Sequence, residues 1–174
     1  LGSIAAELQA AGIEHQAVEI EMLSERPVVQ DLMALTRALV HLADRTAWLA
    51  VLRAPWCGLT LADLHAIAAG APQATVRELL EHALATNALS ADGRERAARA
   101  YRVLEQALEQ RGRQSLRDWV ERTWISLGGP ATLREPQDLQ DARAYFNRLD
   151  EIDEVGDLDD VARLDERLEG LCAR

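Results

Sequence analysis

Hydrophobic residues recur at intervals of three and four along most of the chain, which is the spacing of one buried face on an α-helix. The clearest stripe consists of Val28, Leu32, Leu35, Leu39 and Leu42. A second stripe follows Asp157 and predicts a final helix near the C-terminus. The pattern as a whole predicts an all-α, irregular domain of about seven or eight helices.

Capping residues, prolines and glycines mark where these helices begin and end. A first helix is expected from Ser3 to Gly12, and another is expected to begin at Pro136. Thr75 and Glu78 have the spacing of a full capping box. The other predicted helix starts are Pro27, Asp44, Thr60, Ser90 and Ser115.

Residues 14–21 depart from the helical pattern because polar and apolar positions alternate there. Alternation predicts a short β-strand, and no second strand is predicted with which it could pair. The sequence also begins with Leu1 rather than methionine. We therefore expect the chain to be a piece of a longer protein, in which this strand joins a sheet.

Composition is typical of a globular protein. The chain has 174 residues, of which 48% are hydrophobic and 28% charged, and no apolar run reaches the length of a membrane span. Cys57 and Cys172 are too few for a disulfide framework. These features predict a cytoplasmic protein with no membrane partner. Lysine is absent, which excludes a Walker A phosphate loop and Schiff-base chemistry.

No catalytic constellation emerges from the sequence. His15, His41, His65 and His82 lack the spacing of metal ligands. The acidic residues are expected on exposed helix faces, where nothing singles out a catalytic pair. Cys57 precedes a predicted helix, but no histidine is placed to act as its base, so we expect a buried structural thiol. The segment is predicted to hold no catalytic residue, metal or cofactor.

Charge is distributed unevenly along the chain, whose net charge is −10. Residues 94–117 carry a net charge of +4, whereas residues 1–93 carry −6 and residues 135–174 carry −8. The arginines of the basic segment are Arg94, Arg96, Arg99, Arg102, Arg111, Arg113 and Arg117. They could contact nucleic-acid phosphates or pair with acidic groups of the same chain. The negative total opposes tight DNA binding by the isolated chain.

The turn at residues 53–60 is a second candidate nucleic-acid contact. A helix, a Pro/Gly turn and a second helix can direct backbone N–H groups at a phosphate. Trp48, Trp119 and Trp124 are expected in the core. Trp56 lies in the turn and is the tryptophan we consider for stacking on a base.

Residues 12–64 contain an ordered series of short motifs. Along the chain these are Gly12-Ile13, Leu23, Pro27, Asp31-Leu32, Asp44, Ala47-Trp48, Leu52-Arg53-Ala54-Pro55, Gly58-Leu59 and Asp63-Leu64. The series resembles the UvrD-like superfamily 1 DNA helicases, and most of all the RecB/AddA-type exonuclease-helicases and related predicted DNA repair proteins. A looser likeness continues through Ala144-Tyr145-Phe146 and residues 164–168.

The resemblance implies a domain assignment and a role. Residues 1–22 would be the edge of the second RecA-like motor domain, and residues 23–174 would be the helical 2B subdomain. In that family the 2B subdomain rotates as a unit, contacts duplex DNA ahead of the fork and can restrain unwinding, but it carries no catalytic residue. ATP and magnesium would be bound elsewhere in the longer protein.

The resemblance also points to site residues. The family has a Gly-Ile-Gly turn that touches the duplex backbone, and Gly58-Leu59-Thr60 corresponds to it. Thr60 replaces the third glycine, and its Cβ limits close approach although its hydroxyl can donate a hydrogen bond. The expected DNA-binding residues are Arg53, Trp56, Gly58, Leu59, Thr60, Arg94, Arg99 and Arg102.

Two functions stay open at this point. The first is an accessory, non-catalytic domain of an ATP-dependent DNA helicase or exonuclease in repair or recombination, which positions duplex DNA and regulates unwinding. The second is an acidic protein-interaction module, which binds a partner subunit or its own motor domains through the acidic C-terminal helices.

Overall fold

The structure is a computed structural model that describes residues 23–153. Within that range a 3-10 turn, Leu23–Glu25, precedes the first of seven α-helices, and a second, Gly129–Thr132, precedes the last. The helices are α1 (Pro27–Val40), α2 (Arg45–Arg53), α3 (Leu61–Ala68), α4 (Val76–Ala85), α5 (Ala91–Glu109), α6 (Leu116–Leu127) and α7 (Pro136–Asp153). The all-α prediction is confirmed there. The predicted strand at 14–21, the helix from Ser3 and the helix after Asp157 lie outside the described residues.

The predicted helix starts are confirmed by hydrogen bonds at the N-termini. Asp44 accepts a hydrogen bond from the backbone N–H of Ala47, 2.9 Å away. Thr75 and Glu78 form the reciprocal capping box that their spacing predicts. Thr60, Ser90 and Ser115 cap α3, α5 and α6 in the same way. Each cap satisfies a backbone donor that has no partner within its own helix.

Helix α1 lies at the centre of the domain and packs against α2, α6 and α7. Its stripe of buried residues meets the largest buried side chains of those helices. The fully buried large side chains include Leu32, Leu35, Leu39, Trp48, Leu52, Leu127, Tyr145 and Phe146. A buried hydrogen bond of 2.7 Å joins Thr36 of α1 to the Tyr145 hydroxyl of α7.

The tryptophans expected in the core are buried, as the sequence predicts. Trp48, Trp119 and Trp124 are each no more than 6% exposed. The indole N–H of Trp119 donates to the carbonyl of Ala107 at 2.7 Å and so ties α6 to the end of α5. The ring of Trp124 lies against Gly129, where a Cβ would overlap it.

From α3 to α6 each helix packs against the next one along the chain. This path brings the N-terminus of α5 beside the N-terminus of α3, where Ser90 hydrogen-bonds Asp63. It also lays the first half of α5 along the turn that links α2 to α3. The turn and the basic helix, which are some 40 residues apart in sequence, therefore meet in the fold.

Candidate nucleic-acid interface

The turn between α2 and α3 is closed by its own backbone. The N–H groups of Cys57 and Gly58 donate to the carbonyl of Ala54 at 2.9 and 2.8 Å, and the N–H of Leu59 donates to Leu52 at 3.1 Å. Gly58 has a φ of +65°, a conformation that glycine adopts without strain. The expectation that this turn directs free N–H groups at a phosphate is wrong for these three residues, because their donors are already used.

Three predicted contact residues in the turn are also engaged internally. Trp56 is 3% exposed and Leu59 is 5% exposed, so the Trp56 ring is covered by protein and the proposed stacking on a base is wrong for this conformation. The Thr60 side chain caps α3, and its hydroxyl donates to the Asp63 carboxylate at 2.7 Å. Gly58 is half-buried and lies beside the guanidinium of Arg96, a residue that lines a surface groove on α5.

The groove lies along the first half of α5. Its volume is about 370 Å³, and it is lined by Asp92, Glu95, Arg96, Arg99 and Arg102. The Arg96 guanidinium lies against Gly58, so that a Cβ added there would come within 2.8 Å of Nη1. The Arg99 guanidinium donates to the carbonyl of Trp56. Two features that the sequence singles out separately thus form one surface.

The three groove arginines have different partners. Arg96 is ion-paired with Asp92 one turn earlier, at 2.7 Å, and both side chains are exposed. Arg99 also donates to the carbonyl of Leu127 at 3.0 Å, so it holds α6 and the turn together. Toward the residues between 23 and 153, Arg102 donates only a long hydrogen bond, 3.4 Å, to a carbonyl of its own helix. The guanidiniums of Arg96 and Arg102 are therefore the ones that an incoming phosphate can recruit.

Arg94 and Arg53 do not line this groove. Arg94 donates to Asn87 and to the carbonyl of Leu84, and so binds the end of α4. Arg53 is exposed at the end of α2, and its charge acts on Asp31 of α1. The predicted DNA-binding set is thus divided, with Arg99, Arg102 and the turn at one surface and Arg53 at another.

Many arginines cap the C-termini of neighbouring helices. The final carbonyls of a helix lack partners within it and carry partial negative charge, so a guanidinium binds them well. The four such pairs within residues 23–153 are Arg111 with Val40 of α1, Arg45 with Ala68 of α3, Arg94 with Leu84 of α4 and Arg99 with Leu127 of α6. Arg117 instead pairs with Glu121 and with Asp150 of α7. Intramolecular pairing therefore accounts for much of the basic segment.

The expectation that the acidic residues lie on exposed faces fails at Asp63, which is 3% exposed. Its carboxylate accepts hydrogen bonds from the Thr60 hydroxyl at 2.7 Å and from the N–H and hydroxyl of Ser90 at 2.8 and 3.1 Å. These bonds, led by the one from Thr60, hold the pKa of Asp63 below its usual range. Gly93 has no side chain, and the Asp63 carboxylate occupies the space that a Cβ at this position would fill. The spacing of Thr60 and Asp63 predicts the helix cap. It does not predict that Ser90, which is distant in sequence, also donates hydrogen bonds to Asp63.

The Cys57 thiol lies in the core of the domain. Burial raises the pKa of the Cys57 thiol to about 12, which confirms the buried, unreactive cysteine. Within residues 23–153 no three potential ligands are grouped to hold a metal ion. Over the same residues, no helix has both the length and the apolar character that crossing a bilayer requires.

Comparison with known proteins does not assign the chain to a family. No protein-family model, no curated protein and no solved structure matches it. The fold and the surface define an all-α domain with an arginine-lined groove, and the helicase resemblance of residues 12–64 stands as a hypothesis.

Proposed function

We propose that this chain is an accessory, non-catalytic helical domain of an ATP-dependent DNA helicase or exonuclease, and that it positions duplex DNA while the motor domains bind ATP and magnesium. The observation that carries the proposal is the meeting of Gly58 with the arginine groove of α5. The motif series of residues 12–64, which includes Gly58-Leu59, also supports it.

The chemistry of the groove suits phosphate oxygens rather than bases. Guanidiniums bind phosphates through charge-assisted hydrogen bonds, which carry no sequence information. Arg102 is exposed with one weak internal hydrogen bond, and Arg96 exchanges its exposed pair with Asp92 for the phosphate. Arg99 fixes the turn against α5 and is a positioning residue. Such a surface holds a duplex in place without changing it.

The proposal is tested by fluorescence anisotropy with a labelled duplex at low salt, comparing the chain with an Arg96→Ala/Arg102→Ala variant. At about 0.1 M salt each lost phosphate contact weakens binding by about tenfold, because one bound counterion fewer is released. The control, Arg122→Ala/Arg143→Ala, removes the same charge from exposed positions on α6 and α7.

Three outcomes separate the hypotheses. A loss confined to the groove variant supports the proposal, and equal losses in both variants contradict it. No duplex binding at any salt concentration also contradicts it and favours the acidic interaction module, whose binding segment lies mostly outside the described residues.

A further inference from the structure

The chain carries a dense run of negative charge at the end of α7. Residues 150–160 hold seven carboxylates and no basic residue. The run begins in the last turn of α7, where Asp150 is ion-paired with Arg117 and Glu151 with Arg148. It continues after the last described residue with Glu154, Asp157, Asp159 and Asp160. Like charges at this density repel one another unless cations lie beside them.

The fold places the start of this run beside the corner between α5 and α6. Arg117, which binds Asp150, lies in the first turn of α6. The indole N–H of Trp119, two residues further along α6, donates to the carbonyl of Ala107 near the end of α5. The chain therefore leaves α7 close to the C-terminal end of the helix that carries the arginine groove.

The distance from this corner to the groove is short for the chain that follows. A helix rises about 1.5 Å per residue, so Arg102 lies about 10 Å along the axis from the end of α5, and Arg96 lies about 20 Å from it. Seven extended residues span up to about 25 Å, so residues 154–160 reach Arg102. The next acidic pair, Asp165 and Glu166, reaches Arg96.

The groove has a small excess of positive charge. It is lined by Arg96, Arg99 and Arg102 together with the carboxylates of Asp92 and Glu95. The pair between Arg96 and Asp92 is exposed, and the hydrogen bond of Arg102 to its own helix is long, so both guanidiniums can accept a further anion. An excess of one charge holds a free acidic peptide weakly. A segment of the same chain, however, is present at millimolar effective concentration.

We infer that the acidic segment, residues 154–166, lies on the arginine groove when no duplex is bound and competes with the duplex for Arg96 and Arg102. Carboxylate and phosphate oxygens accept the same charge-assisted hydrogen bonds from a guanidinium, so one anion excludes the other. A duplex displaces the segment because it carries one charge per about 1.7 Å of its axis. The competition rests on the proposed function, but the contact within the chain does not.

The contact is tested first without DNA, by backbone-amide NMR of the whole chain. The segment variant is Asp157→Asn/Asp159→Asn/Asp160→Asn. The control variant, which removes three charges from residues elsewhere in the chain, is Glu19→Gln/Glu25→Gln/Glu135→Gln. We expect the segment variant to shift the amide signals of Gly58, Arg96 and Arg102, and the control variant to leave them in place.

Duplex binding, measured by fluorescence anisotropy at about 0.1 M salt, gives the second readout. The segment variant should bind about three- to tenfold more tightly than the unsubstituted chain, as the release of two exposed ion pairs implies. The control variant should gain less than about twofold, because salt screens distant charges. With Arg96→Ala/Arg102→Ala also present, the segment variant should gain nothing further, because the contact it removes is already lost.

Unchanged amide signals in the segment variant overturn the inference, whether or not duplex binds. Equal shifts or equal gains in the segment and control variants also overturn it. So does a gain that persists beside Arg96→Ala/Arg102→Ala, because it would reflect general repulsion between DNA and negative charge. If the segment variant alone shifts the signals but no variant binds duplex, the contact is supported, and the competition fails together with the proposed function.

Discussion

Replacing Asp63 with alanine tests the most deeply buried charge in the described part of the domain. The substitution removes the acceptor of three hydrogen bonds, of which the two from Ser90 join α3 to α5 and the one from Thr60 lies within the start of α3. The hydroxyls of Thr60 and Ser90 can rotate toward other acceptors or water, whereas the Ser90 N–H is fixed in direction by the backbone and loses its acceptor.

The magnitude follows from these contacts. A hydrogen bond to a charged acceptor contributes about 1.5–3 kcal/mol. Because Thr60 and Ser90 are exposed, water replaces part of what is lost, and we expect Asp63→Ala to lower the free energy of unfolding by about 2–3 kcal/mol. That is a large fraction of the roughly 5–15 kcal/mol that stabilises a typical domain.

The assay is urea unfolding followed by far-UV circular dichroism. Asp92→Ala is the matched control, because Asp92 lies in the first turn of α5, near Ser90, with an exposed side chain and should change stability by no more than about 0.5 kcal/mol. Asp63→Asn keeps the volume and one acceptor and should fall between the two.

The same variants have a defined pH dependence. Because the pKa of Asp63 is lowered on folding, its contribution is present above the pKa of the unfolded chain and is lost as pH falls through the folded value. The Asp63→Asn variant should not show this loss of stability at low pH. Equal unfolding midpoints for Asp63→Ala and Asp92→Ala would refute the assignment of Asp63 as the link between the two helices.

Three further predictions concern Gly129, Asp31 and Cys57. Gly129→Ala places a Cβ inside the Trp124 ring and should cost about 1–3 kcal/mol of stability, seen as a lower melting temperature; an unchanged melting temperature contradicts the packing. The pKa of Asp31 rises from 3.8 to about 6 on folding, so the folded state holds the proton more tightly and stability falls as pH rises through that window. Asp31→Asn should remove this fall and be more stable than the unsubstituted chain near pH 7 in a pH series of urea melts. The thiol of Cys57 should resist iodoacetamide at neutral pH until urea unfolds the chain, and rapid labelling of the folded chain would contradict its burial.

The helix starts could be predicted from the local sequence because each capping side chain accepts a hydrogen bond from the N–H group three residues further along the chain. Asp44, Thr75 and Ser115 all bond N–H groups in the first turn that follows them, as their positions predict. The stripe likewise predicted the buried face of α1 at Val28, Leu32, Leu35 and Leu39, because helical spacing decides which residues share a face, whereas Leu42 lies beyond the end of the helix at Val40 and is half-buried.

Long-range contacts could not be predicted in this way. Arg111 binds the carbonyl of Val40, 71 residues earlier, and nothing in the local sequence indicates which helix end an arginine will reach. Asp63 is buried only because Ser90 arrives beside it when α5 packs near α3. The sequence therefore suggested a single basic helix, whereas the fold divides its arginines between helix ends and the groove.

The burial of Trp56 has the same origin. Its position in a Pro/Gly turn suggested exposure, but the turn folds back through hydrogen bonds to Ala54 and Leu52, the Trp56 carbonyl binds Arg99 of α5, and the side chain is 3% exposed. The parts of the turn left for a ligand are the surface of Gly58 and the guanidiniums beside it.

The most direct measurement of the central claim is the salt dependence of duplex affinity. Plotting the logarithm of the association constant against the logarithm of salt concentration counts the phosphates that the protein neutralises, at about 0.9 per contact. If Arg96 and Arg102 each hold a phosphate, the slope for the Arg96→Ala/Arg102→Ala variant is smaller in magnitude by about 2 than that of the unsubstituted chain. Identical slopes for the two proteins would contradict the claim that the groove of α5 holds the duplex.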